Sequence, residues 1–265
     1  MTYQHIQLIR DGHVATLKLN RPETRNAMTP AMGDEVRAAA AEVRADRDVR
    51  VLVVTGEGKA FSGGGDLGML ARDAGLRAAE GEGMGGPPRD FYKRYLSIHD
   101  LPIPTIAAIN GHAIGAGFCF ALACDMRTAV ADAKLGMTFT KLGIHPGMGA
   151  TYFLPRLIGT ARACELLFSG RIIDAPEAER LGIVSYVVAR DAFAETVQTV
   201  ARSIAAAAPI AVRMVKRALY RGVQHSLDDA LDLESMQQSA TFQTTDAREG
   251  IAAVLEKREP KFTGA

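Results

Sequence analysis

An α/β fold is predicted for this chain by three observations. Apolar runs of strand length alternate with amphipathic runs of helical period along most of it. Two glycine-rich turns, Lys59 to Leu67 (KAFSGGGDL) and Asn110 to Asp125 (NGHAIGAGFCFALACD), interrupt that alternation where apolar strands end. From about Asp191 onward the strand pattern stops and only helical segments follow.

Composition narrows the function classes. With 265 residues the chain can bury a full core, as one large domain or one with a helical appendage. Its 31 Lys and Arg balance 30 Asp and Glu, so no global charge bias points to nucleic acid or an anionic membrane surface. No apolar run reaches the roughly 18 residues that span a bilayer, and MTYQHIQLIRDG lacks the apolar segment of a signal peptide. A soluble, cytoplasmic protein with no membrane partner is expected. Cys119, Cys124 and Cys164 are odd in number, lie among apolar neighbours and show no CxxC spacing. Buried, reduced thiols are expected there, not a disulfide framework or a zinc site.

The elements follow in order. His5 to Asn20 alternates apolar and polar residues on both sides of Asp11-Gly12, a pair that favours a tight hairpin turn. LNRPETRNAM leaves the second strand through Pro22, and Thr29-Pro30 supplies an N-cap with proline at the first helical position. The helix that follows places Met32, Val36, Ala39, Ala40 and Val43 on one face. VLVVT, Val51 to Thr55, is apolar throughout, as a strand buried on both faces must be, and leads into the first glycine turn.

A polar, glycine-heavy interval ending GEGMGGPPRD then reads as a mobile loop or lid. A helix through FYKRYLSIHD is stopped by Pro102 and Pro104 before the strand TIAAIN. Strands at RTAVA and near KLGM, a turn at HPGMG, and helices through TYFLPRLIG and ARACELLFSG come next. The C-terminal part reads as three or four helices, broken at Pro209 and restarted at the N-cap candidate Ser226.

Three glycines in a row, followed by Asp66, suit neither a strand nor a helix interior. They mark a place where main chain must approach something closely. The second turn passes from the buried strand AINGH into the buried helix GAGFCFALAC, whose first N–H groups have no partner within the helix. Two such turns aiming N–H donors at one point would make a hole for a developing oxyanion. Tight turning alone is the competing explanation for the glycines.

FSGGGDL and NGHAIGAGF, with LNRPETRNAM before them and LGIHPGMGATYFLPRLIG after, resemble the crotonase superfamily, the enoyl-CoA hydratase/isomerase family. The resemblance runs from about residue 10 to the end. It implies a crotonase-like spiral of ββα units over residues 1–195 and a helical trimerisation region over 196–265. It implies a homotrimer or homohexamer, an acyl-CoA substrate, and no cofactor, CoA being part of the substrate. By the same resemblance the oxyanion donors are the main-chain N–H groups of Gly65 and Ala116. Contacts to the CoA thioester fall to Arg25, Ala27, Ser62, Gly63, Gly64, Asp66 and Leu67, with Lys257, Lys261 and Phe262 at the C-terminal end, where a neighbouring subunit is an alternative setting. Asp66 also has a plainer role, as the cap of the next helix.

The chain departs from the family where its acid–base chemistry is concentrated. Hydratases of the family use two glutamates, and here those positions align with Cys119 and Phe139. An aspartate position of some isomerases aligns with Gly147. His145, in GIHPGMG, is the first choice for a proton-transfer group, because an imidazole ordinarily titrates near neutral pH; a structural hydrogen bond is the alternative. Cys119, His112, Tyr92 and Tyr95 are the others. His112 reads as a loop anchor, and one of the two tyrosines as packing.

These residues describe an acyl-CoA enzyme that stabilises a thioester enolate without the usual glutamate pair. Decarboxylation of a β-carboxyl thioester, or a double-bond shift with one base, asks less of side-chain acids than hydration does. A non-catalytic acyl-CoA binding protein is the rival reading. A phosphate-binding nucleotide loop is weaker, for GxxxxGK[ST] is absent.

Overall fold

The hairpin around Asp11-Gly12 forms as expected, with Ile6–Asp11 (β1) antiparallel to Val14–Leu19 (β2) and Ile6 opposite Leu19. The computed structural model describes residues 2–76, 83–222 and 226–265. After Pro30–Ala45 (α1) come Val51–Gly56 (β3), Ala60–Ser62 (β4), Leu67–Asp73 (α2), Pro88–Leu96 (α3), Thr105–Ile109 (β5), His112–Ile114 (β6) and Ala116–Leu122 (α4). Met126–Val130 (β7), Lys134–Gly136 (β8), Ala150–Ile158 (α5), Thr160–Ser169 (α6), Ile172–Asp174 (β9), Ala175–Arg180 (α7) and Tyr186–Val188 (β10) follow. Phe193–Ala205 (α8), Pro209–Gly222 (α9), Leu227–Phe242 (α10) and Thr245–Glu256 (α11) end the chain.

One sheet has the order β1-β2-β3-β5-β7-β10, and a second the order β4-β6-β8-β9. Strands β2, β3, β5, β7 and β10 run parallel, as do β4, β6 and β8. The chain therefore lays one strand in the first sheet and the next in the second, then adds a helix, and repeats from β3, from β5 and from β7. That is the ββα spiral. Its core holds Val51 to Val54 of β3 and the fully buried α4, which is apolar all round because sheets and helices enclose it.

The cap on α1 is the expected one: the Thr29 hydroxyl accepts from Met32 N–H at 3.3 Å, and Met32, Val36, Ala39, Ala40 and Val43 face the core. α3 starts three residues before the expected helix and ends at Leu96, since Pro88 is pre-set for a first turn and Ser97 to Asp100 already bend toward Pro102. The expected mobile interval includes residues 77–82, which lie outside the described residues. Cys119 and Cys124 are buried, but Cys164 is only half-buried on α6. β9 and α7 were not legible: a three-residue strand gives no periodicity, although Asp174 caps α7 by accepting from Glu177 N–H at 2.9 Å.

The expected division at 195/196 falls inside α8, whose Phe193, Val197, Ala201 and Ala205 are in the core. The helical extension instead begins with α9. It is tied down by Lys216, which donates to Asp125 at 2.7 Å and to the Ile103 carbonyl at 2.8 Å, and by the Tyr220 hydroxyl, which donates to Asp125 at 2.6 Å. α10 begins with a capping box at Ser226 and Asp229 and has no buried residue. Among the described residues no helix is long and apolar enough to cross a membrane.

Candidate active site

Between the two glycine turns, α2, α3 and the turn after β8 lies a cavity of about 260 Å³. One wall is main chain. The first turn is held by Asn26, buried with a positive φ of 54°, a conformation asparagine tolerates better than most residues. Its amide nitrogen donates to the carbonyls of Glu57 and Ala60 at 2.9 Å, and its oxygen accepts from Arg21 N–H at 2.9 Å. Met28 grips the turn on both sides of Gly65, donating to the Gly64 carbonyl at 2.8 Å and accepting from Asp66 N–H at 3.1 Å. The Gly65 N–H between them has no hydrogen-bond acceptor among the described residues.

The second turn is anchored by Gly115 N–H, which donates to the Gly136 carbonyl of β8 at 2.8 Å. The next amide, Ala116 N–H, opens α4 and also has no acceptor among the described residues. Gly65 and Ala116 both line the cavity. The two turns touch: a Cβ on Gly64, whose φ is +98°, would stand 2.7 Å from the Ile114 carbonyl oxygen and 3.5 Å from Ala116 N. A Cβ on Gly117 would stand 2.6 Å from that of Ser62. Only glycine allows either approach.

The rest of the lining is side chain and mainly apolar, including Leu67, Met69, Leu70, Phe91, Phe139 and Met148. Among the described residues its polar side chains are Tyr92, Thr138 and His145, and no carboxylate lines it. His145 is exposed, and its Nδ1 lies 2.7 Å from the Pro146 carbonyl. A carbonyl only accepts, so Nδ1 carries the hydrogen and the neutral ring keeps its lone pair on Nε2.

The structure separates the other predicted residues. Gly63, Gly64 and Leu67 line the cavity, but Asp66 and Ser62 do not. Asp66 caps α2, accepting from Met69 N–H at 3.2 Å, with Arg21 Nη1 3.7 Å away. The Ser62 hydroxyl is buried, donating to the Asn26 carbonyl at 2.8 Å and accepting from Gly64 N–H at 3.2 Å. Both side chains carry the loop, Asp66 in the capping role expected of it. Arg25 is exposed beside the turn, its carbonyl accepting from Gly63 N–H at 2.8 Å, and the Ala27 carbonyl accepts from Arg21 at 2.9 Å.

Lys257, Lys261 and Phe262 are not brought to this cavity within one chain. Phe262 lines a separate apolar cavity between α9, α10 and α11, and its carbonyl accepts from Arg50 at 2.7 Å. Cys119 is fully buried on α4 and lines no part of the site, and desolvation holds its thiol far above the usual range. His112 accepts from Lys134 N–H at 3.1 Å, the loop anchor expected of it.

The tyrosines divide. Tyr95 is fully buried, its hydroxyl donating to the Thr29 carbonyl at 2.6 Å. Tyr92 lines the cavity, half-buried. Sequence reasoning passed over Asn26, although it stands within the quoted LNRPETRNAM, because nothing local announces a side chain satisfying carbonyls some thirty residues away.

The family model of the enoyl-CoA hydratase/isomerase family matches residues 10–265. The chain is 38% identical over 263 residues to the probable enoyl-CoA hydratase echA8 of Mycobacterium bovis, covering 99% of each. It is 36% identical to the crotonyl-CoA hydratase of Syntrophomonas wolfei, again over 263 residues and 99% of each. Among solved structures, the enoyl-CoA hydratase from Bacillus anthracis superposes with a TM-score of 0.89 at 37% identity, covering 99% of this chain and 100% of that one.

Proposed function

The chain belongs to the enoyl-CoA hydratase/isomerase family of acyl-CoA enzymes, and on that premise we propose that its reaction passes through a thioester enolate held by Gly65 and Ala116 N–H. The observation that carries this reading is that two residues lining one cavity, Gly65 and Ala116, each have a main-chain N–H without an acceptor among the described residues. Each would donate to the thioester oxygen as negative charge moves onto it, where apolar walls make the bond count for more than in water.

His145 Nε2 is the single base. It takes a proton from the carbon next to the thioester, and the two amides hold the resulting charge. A shift of a double bond from the β,γ to the α,β position needs no more than this and a proton returned further along the chain. Addition of water by the glutamate pair of the family's hydratases needs carboxylates in the site, and no carboxylate lines the cavity among the described residues. The apolar lining favours a second reading, decarboxylation of a β-carboxyl thioester, since an ionised carboxylate taken out of water loses its hydration.

Incubation of the pure protein with 3-butenoyl-CoA, crotonyl-CoA and malonyl-CoA separates these. Rapid formation of the conjugated thioester from 3-butenoyl-CoA supports the first reading, and acetyl-CoA formed from malonyl-CoA supports the second. Fast hydration of crotonyl-CoA overturns both.

Gly63, Gly64 and Leu67 form the inner part of the thioester site in this reading, and Arg25 and Ala27 its entrance. Lys257, Lys261 and Phe262 contribute to CoA only across an interface between copies. Exposed Leu227, Leu231, Met236 and Phe242 on α10, with Val254 and Leu255 on α11, support assembly as a trimer or hexamer. Light scattering at a monomer mass would overturn that part.

A further inference from the structure

The reading above supplies a base and an oxyanion site but no acid. A proton removed beside the thioester has to be matched by one delivered at the far end of the dienolate. Three polar side chains line the cavity among the described residues, and they differ in what they can give. His145 spends its ring hydrogen on the Pro146 carbonyl. Thr138 carries an aliphatic hydroxyl, a far weaker acid than a phenol. Tyr92 remains.

We propose that Tyr92 is the proton donor of this site. Its ring lies on α3 and faces the cavity. Its hydroxyl makes no hydrogen bond to any described residue, whereas Tyr95, one helical turn on, spends its own on the Thr29 carbonyl. Tyr92 is also aimed at a particular place. A Cβ on Gly147 would collide with the Tyr92 hydroxyl and its ring carbon Cζ, so the hydroxyl fills the room a side chain at 147 would need. Gly147 is two residues from His145 on the same turn, which brings donor and base to one wall.

Burial is the larger cause and the nearby Cys119 the smaller in raising the Tyr92 phenol above its ordinary range. A phenol so held keeps its proton at neutral pH and cannot serve as the base, which leaves the donor role to its geometry. The step balances. His145 Nε2 takes a proton from the α-carbon, and the electron pair moves through the dienolate. The O–H bond of Tyr92 breaks as a C–H bond forms at the γ-carbon. The thioester carbonyl re-forms, the phenolate regains a proton from water, and the imidazolium loses one to water.

This inference rests on the one-base reading, and the test keeps the two apart. Wild-type protein and Tyr92→Phe are incubated with 3-butenoyl-CoA in deuterated water, and NMR follows both deuterium entering the α-carbon of recovered substrate and formation of crotonyl-CoA. Tyr92→Phe is expected to retain α-exchange within about threefold while product formation falls roughly 10²-fold or more, the usual worth of a general acid. The melting temperature should hold, because the lost hydroxyl has no partner. Gly147→Ala, which pushes that hydroxyl aside, should lower product formation in the same direction.

Product formation by Tyr92→Phe within twofold of wild type overturns the inference and leaves the one-base reading standing. Equal loss of exchange and product in Tyr92→Phe also overturns it, placing Tyr92 in binding or enolate formation instead. A wild-type protein that shows neither exchange nor product overturns the one-base reading, and the inference with it.

Discussion

The two walls of the cavity are built on different principles. The oxyanion wall is main chain held from behind: Asn26, Ser62 and Met28 spend their polar groups on the turn, and the amides of Gly65 and Ala116 are what remains. The facing chemistry is side chain, carried by His145 on an exposed turn and Tyr92 on α3. A backbone wall admits almost no substitution, because its geometry is set by atoms every residue has and by the room glycine leaves. A side-chain wall can exchange its acid and base while the hole stays intact. The lesson is that stabilising an enolate and moving its protons are separable in this fold.

The largest test of that contrast is Gly64→Ala. The added carbon meets the Ile114 carbonyl at 2.7 Å and the residue is held at a positive φ, so both turns must shift. Activity on the best substrate should fall by about 10³-fold or more, a greater loss than removing one oxyanion donor usually brings. A drop below tenfold would show the backbone wall to be less rigid than described. On the other wall, His145→Gln should reduce turnover roughly 10²-fold, the low end for a lost general base. Binding of butyryl-CoA should change by less than about threefold, checked by calorimetry.

Asn26→Ala isolates the support behind the hole. It strands the Glu57 and Ala60 carbonyls, at a cost of about 1–3 kcal/mol for buried groups left without a donor. Urea unfolding should report that loss, with activity falling through a loosened turn. The smallest effect belongs to Cys119→Ala. Its thiol touches no part of the cavity and burial keeps it protonated, so turnover should stay within about twofold, and iodoacetamide should modify Cys119 only on unfolding.

Legibility followed the same division. The glycine turns and the caps at Thr29, Asp66 and Ser226 stood out because each needs particular residues at fixed local offsets. The buried run Val51 to Val54 of β3 was plain from its unbroken apolar residues. Ser62 was placed in the right loop, but its bond to the Asn26 carbonyl was not legible, since sequence locates a residue without saying which way it faces. The 195/196 division failed because α8 resembles the helices after it, while its buried stripe packs on the sheet. Tyr92 and Tyr95 were an undivided pair until Gly147 and the Thr29 carbonyl, far off in the chain, set them apart.

The central claim is that two amides from separate turns donate to one thioester oxygen. Isotope-edited infrared spectroscopy of butyryl-CoA, labelled with carbon-13 at the thioester carbonyl, tests it without relying on turnover. Bound to wild-type protein, the carbonyl band should move to lower wavenumber. In Ala116→Pro, which deletes one N–H at a position where a helix accepts proline, most of that shift should vanish while the fold is kept. A band that stays at its free-solution position in the wild-type complex, or one that shifts equally in the variant, contradicts the account.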